Sequence, residues 1–213
     1  MAKIVYSLAL DEEVIRQVDK SARKAGMSRS NFVNRILAEA VGYETAQQKA
    51  ENVFSAVENY LKQHANLHFF NATPNIATVV GAIACPYKPK MKYTLEIYPE
   101  NSRYLGELKI SSRTGNGYVR KAIEEFYGLW SAMEARHISE EIPYEIGEGR
   151  FRRVLLRPTA ELDAVAVAQA LAHYIDVFDE LINGYFTELE SGDFDAREME
   201  YTFRRAFYMR PVL

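Results

Sequence analysis

The sequence predicts an α+β protein in two domains: a strand-helix-helix segment first, then a larger mixed domain of order helix, three strands, helix, two strands, helix. Three observations predict it. Apolar residues of "KIVYSLAL" alternate with period two, and those of the next thirty residues recur at helical spacing between glycines. Beyond Tyr43, short β-rich runs broken by Pro, Gly and Asn alternate with long helical ones. With 213 residues and a 48% hydrophobic fraction the chain can bury a substantial core. The single cysteine, Cys85, excludes an internal disulfide framework, and no long uncharged apolar run suggests a signal sequence or membrane span. A cytoplasmic protein with no membrane partner is expected. Residues 1–43 hold seven Lys/Arg against five Asp/Glu, which leaves nineteen against twenty-four of the totals of 26 and 29 for the rest. The first fifth is therefore mildly basic and the remainder acidic.

Each N-terminal element has its own signal. In "KIVYSLAL", Ile4, Tyr6, Leu8 and Leu10 share one face of a strand and Lys3, Val5, Ser7 and Ala9 the other. Asp11 stands at the N-cap of "EEVIRQVDKSARKA", where Val14, Ile15, Val18, Ala22 and Ala25 form a stripe, with acids in the first turn and Arg23 and Lys24 in the last. Gly26 is placed where a left-handed residue closes that helix. Ser28 is a good N-cap for a second helix with Phe32, Val33, Ile36, Leu37, Ala40 and Val41 on its apolar face, ended by Gly42.

This order, with the ribbon "KIVYSLAL", the acidic opening "LDEEVIRQVD" and the entry "GMSRSNFVNRIL", resembles the ribbon-helix-helix family of bacterial DNA-binding proteins over residues 1–43. The resemblance implies an intertwined homodimer. Its paired strands would enter the major groove, with Lys3, Val5, Ser7 and Ala9 toward the bases, and each second helix would aim its start, Ser28, Arg29, Ser30 and Asn31, at phosphate. The chemistry of "SRSN" agrees with an anion site, because free amides, a helix dipole, hydroxyls and a guanidinium converge there. The groove side departs from the family pattern: only Lys3 and Ser7 can donate hydrogen bonds, while Val5 and Ala9 offer contact with thymine methyl groups. The alternative is a protein-binding adaptor, such as an antitoxin or chaperone-like partner, whose ribbon serves only dimerisation.

Residues 44–65 read as a helical linker with Ala50, Val53, Phe54, Val57, Tyr60 and Leu61 at helical spacing, and residues 66–213 as an oligomerisation or effector-binding domain. In that domain "IATVVGAIACPY", "KYTLEIY" and "YLGELKI" read as strands. A helix is expected from about Tyr118 to Arg136, a hairpin around Gly147, Glu148 and Gly149, and an apolar helix from about Ala160 to Leu189. That last helix offers more apolar surface than a small sheet needs, which predicts burial against another subunit or a protein partner. In element order alone the domain is similar to type III secretion chaperones. "RFRRVLLR" places Arg150 and Arg152 on one strand face and Arg153 and Arg157 on the other, either solvated or paired with the acidic excess. In the terminal segment, Met199, Phe203, Ala206 and Phe207 form a stripe suited to packing on its own domain or to docking on a partner subunit.

His64, His68, His137, His173 and Cys85 do not have the spacing of a metal site. "SSRTGNGYVRK" lacks both a Walker lysine and a dinucleotide fingerprint, so it reads as a turn before a helix. No nucleophile–base arrangement is recognisable. Catalytic residues, metals and cofactors are therefore not expected; the function expected is that of a dimeric transcriptional repressor or autoregulator.

Overall fold

The computed structural model describes residues 5–64, 66–73, 75–98, 103–139, 141–158 and 162–213, with the side chains of residues 71 and 72 left out. The chain divides into two compact units, Met1–Lys49 and Ala50–Leu213. The described residues form a mixed α and β protein of six helices and one six-stranded antiparallel sheet.

In the first unit the first described element is a helix, α1 (Glu12–Lys24), followed by α2 (Arg29–Ala40). The expected opening strand is absent: residues 5–10 carry no strand pairing, and Lys3 and Ile4 lie outside the described residues. The physical reason is direct. A strand satisfies its amides and carbonyls only against a neighbouring strand, and a single chain offers none beside this segment. Tyr6, Leu8 and Leu10 are exposed along with Val5, so no face of the segment is covered. The helix stops are as expected. Gly26 and Gly42 take φ of 64° and 68°, and the Met27 amide reaches back to the Ala22 carbonyl at 2.9 Å and that of Tyr43 to Ala38 at 2.8 Å. A Cβ on either glycine would meet nothing within 4 Å, so it is the left-handed backbone that requires glycine there. Asp11 occupies the N-cap of α1, but its side chain makes no capping bond. Among the described residues of this unit only Ala22 and Ala38 are buried apolar residues, whereas Val14, Ile36, Leu37, Val41 and Tyr43 are exposed.

The second unit holds the core. The sheet runs β1 (His68–Ala72), β2 (Ile76–Ala82), β3 (Lys90–Ile97), β4 (Tyr104–Ser112), β6 (Arg150–Leu156) and β5 (Tyr144–Gly147), in that spatial order. Four strands therefore precede helix α4 (Gly117–His137), against the three expected. The domain ends in two helices, α5 (Ala164–Ser191) and α6 (Ala196–Phe207). Alternation sets the sheet faces. Val79, Tyr93, Leu95, Leu108, Ile110, Phe151 and Leu155 are buried, while Lys92, Lys109 and Arg150 of the opposite face are exposed. Register places Leu95 beside Leu108, and Ile110 beside Phe151. Phe178 of α5 lies among Trp130, Phe126, Phe151 and Tyr93, with ring centroids at 4.6, 5.2, 5.9 and 6.0 Å. Each fully buried side chain of this kind stabilises by about 1.5–3 kcal/mol.

Fourteen residues of α5 are buried, and all but Asp179 belong to the unit's own core cluster. The apolar length expected to seek another subunit is thus covered internally. The expected linker helix, α3 (Ala46–Leu61), also joins this core through Ala50, Val53, Phe54, Val57 and Leu61. Asn116 caps α4 by accepting from the amides of Tyr118 and Val119 at 2.9 and 3.1 Å, the bland turn expected of "TGNG".

Arg153 departs most from expectation: it is wholly buried on the helix-covered face, opposite Leu108. Its Nε donates to both oxygens of Glu134, at 2.9 and 3.3 Å, and its Nη1 to the Leu213 carbonyl. The guanidinium lies over the Tyr174 ring. Glu134 also accepts from Trp130 Nε1, Tyr174 and Tyr144 at 3.1, 2.8 and 2.9 Å. This network joins α4, α5 and the β5–β6 hairpin.

Candidate nucleic-acid interface

The start of α2 is built by the short connection Ala25–Ser28. The left-handed turn at Gly26 reverses the chain so that α2 begins beside the last turns of α1. Ser28 takes an extended conformation, and its hydroxyl accepts from the Asn31 amide at 3.3 Å. The first two helical amides, those of Arg29 and Ser30, have no intrahelical acceptor, and no side chain meets them among the described residues. Asp19, Arg23, Met27, Ser28, Arg29 and Ser30 line an open depression here.

The depression already contains an anion belonging to the protein. Arg29 holds Asp19 in a two-point clamp, Nε to Oδ1 and Nη2 to Oδ2, both at 2.5 Å. The Arg29 hydrogen bond holds the Asp19 carboxyl below the usual carboxylate range, and the same bond raises Arg29 further. Sequence spacing did not reveal this pair. Asp19 lies four residues before Arg23, which suggests a partner on its own helix, and only the turn at Gly26 brings Arg29 within reach.

Of the expected phosphate-facing residues, Ser28, Arg29, Ser30 and Asn31 are gathered at one exposed helix start. Of the expected base-facing residues, Val5, Ser7 and Ala9 are exposed on the unpaired segment, Val5 at 96%; Lys3 is outside the described residues. Among the described residues no group of three His, Cys, Asp or Glu side chains could hold a metal ion. Among the described residues no helix is long and apolar enough to cross a membrane. Compared with protein-family models, with curated proteins and with solved structures, the chain has no significant match.

Proposed function

We propose that the chain is a dimeric, sequence-dependent DNA-binding protein, a transcriptional repressor or autoregulator. In this reading residues 3–10 of two copies pair into a ribbon that presents Lys3, Val5, Ser7 and Ala9 to a major groove, and each α2 start grips a phosphate. The start of α2 carries the reading: two amides without an acceptor, the positive end of the helix dipole, two hydroxyls and Arg29 at one exposed point. The exposed Tyr6, Leu8, Leu10, Val14, Ile36 and Leu37 support the dimer, because a second copy would give them a common interior.

A second reading, an adaptor whose ribbon serves only dimerisation, is favoured by one observation: Arg29 is already clamped on Asp19. Fluorescence anisotropy of the full chain on duplex DNA, titrated with salt, separates the two. Under the DNA-binding reading Arg29→Ala flattens the slope of log affinity against log salt by about 0.9 per site. Absence of duplex binding at low salt, or a slope indifferent to Arg29→Ala, refutes it in favour of the adaptor.

A further inference from the structure

The outward face of α6 combines exposed tyrosines with arginines that have no carboxylate partner. Met199, Phe203 and Phe207 bury one side of this helix, against Trp130 at 5.1 Å from Phe203 and Tyr174 at 5.9 Å from Phe207. At about 100° per residue, Arg197, Tyr201, Arg204, Arg205 and the C-cap Tyr208 fall within roughly 100° of arc on the opposite side. Tyr201 and Tyr208 are 64% and 76% exposed. Among the described residues the side chains of Arg197, Arg204, Arg205 and Arg210 meet no carboxylate.

The local acids do not neutralise them. Glu200, the acid in the middle of the helix, turns to Arg136 and His137 at 2.7 and 2.6 Å. Only Glu198 remains, at the margin of the strip. In a second unit that is acidic overall, four guanidiniums without a carboxylate partner among the described residues stand out beside two open aromatic faces.

We propose that this face is a binding strip for single-stranded nucleic acid, with Tyr201 and Tyr208 stacking unpaired bases and Arg197, Arg204, Arg205 and Arg210 meeting phosphates. Charge complementarity selects a polyanion. The tyrosines select one whose bases are free, since a duplex keeps its base faces stacked and offers an aromatic side chain nothing to stack upon. Eleven residues of helical rise from Arg197 to Tyr208 span about 16 Å, which suits a contact with a few successive nucleotides. An acidic protein segment would meet the arginines but leave the tyrosines without a role. The strip is independent of the α2 start and stands whether or not that site binds duplex DNA.

The test is anisotropy of the full chain on a labelled 20-nucleotide oligo-dT, with the matched abasic oligomer, a duplex and polyglutamate as competitors. Oligo-dT is expected to compete best. Tyr201→Ala and Tyr208→Ala should each weaken it roughly 5- to 150-fold. Arg204→Ala with Arg205→Ala should flatten the salt slope by about 1.4, at about 0.7 per phosphate on a single strand. Both tyrosines point away from the buried stripe, so circular dichroism should be unchanged in these variants. Arg29→Ala should leave oligo-dT binding intact. The proposal is overturned if oligo-dT does not bind, if the abasic oligomer or polyglutamate competes equally, or if binding falls with Arg29→Ala and not with the tyrosine variants.

Discussion

Glu134→Gln and Arg153→Met, alone and together, probe the buried pair that ties α4 to β6. Both side chains have no appreciable solvent exposure, so either single change leaves a buried charge without its counterion, at a cost of about 3–5 kcal/mol. Glu134→Gln also turns a four-donor acceptor into an amide that must place its own NH2 among Trp130, Tyr144 and Tyr174, a further loss of about 1–3 kcal/mol. Each single variant thus consumes much of a domain stability of about 5–15 kcal/mol. The double variant removes both charges and leaves an apolar methionine stem against Tyr174. It should lie well above the additive expectation, with a coupling of at least about 3 kcal/mol. Urea unfolding followed by tryptophan fluorescence reads this directly, because Trp130 is the chain's single tryptophan and is fully buried in the second unit. Additivity of the two substitutions to within about 0.5 kcal/mol would refute the pairing.

Other perturbations test separate features. Asp19→Asn should free Arg29 and tighten duplex binding at low salt, and an unchanged affinity would show that the clamp does not compete with phosphate. Asp179 is buried and its carboxyl is pushed up to about 6 chiefly by that burial, offset by the Tyr93 hydroxyl that donates to it at 2.7 Å. An acid whose folded pKa lies above its unfolded one, 3.8, adds stability that is full below pH 4 and lost as pH rises through 6. Relative to Asp179→Asn, the wild type should therefore lose about 3 kcal/mol between pH 4 and 7, measured by urea midpoints across that range. Gly106→Ala would drive a Cβ into the Glu96 carbonyl of the neighbouring strand and should cost more than about 3 kcal/mol, read from the same denaturation curves. Sedimentation of the full chain at micromolar concentration should show a dimer, and a monomer with α1 and α2 folded would refute the shared interior.

What the sequence made legible is what local chemistry decides. The β5–β6 hairpin was readable because Glu148 and Gly149 take left-handed backbone between two apolar runs. The span of α4, expected from about Tyr118 to Arg136, lies within a residue of the observed Gly117–His137 at each end. β1 was missed because it is a short edge strand whose Phe70 is 78% exposed, so it carries no apolar alternation to betray it. Burial of Arg153 was invisible because its partner lies nineteen residues away on another element, and in "RFRRVLLR" it looks like its solvated neighbours. At the candidate site the residues of the α2 start were readable from the capping pattern, but the Asp19 clamp depends on how two helices fold together. The opening segment's alternation is real, but residues 5–10 stand unpaired in one chain, because a strand needs a neighbour to pair with.

The near absence of an interior in the first unit makes its two halves answer differently to abundance. The second unit encloses its own core, whereas under the proposed dimer a helix pair that buries only Ala22 and Ala38 would draw its cohesion from a second copy. Under the proposed dimer, the amount of dimer at low abundance rises with the square of chain concentration. Heating a dilute sample should melt the α1–α2 segment well before Trp130 becomes exposed, and raising the concentration should bring the two transitions together. Were the chain the proposed autoregulator, this would amount to a built-in dosage threshold: scarce chains would circulate with a finished body and an unfinished reading head, and silencing would set in steeply once copies find each other.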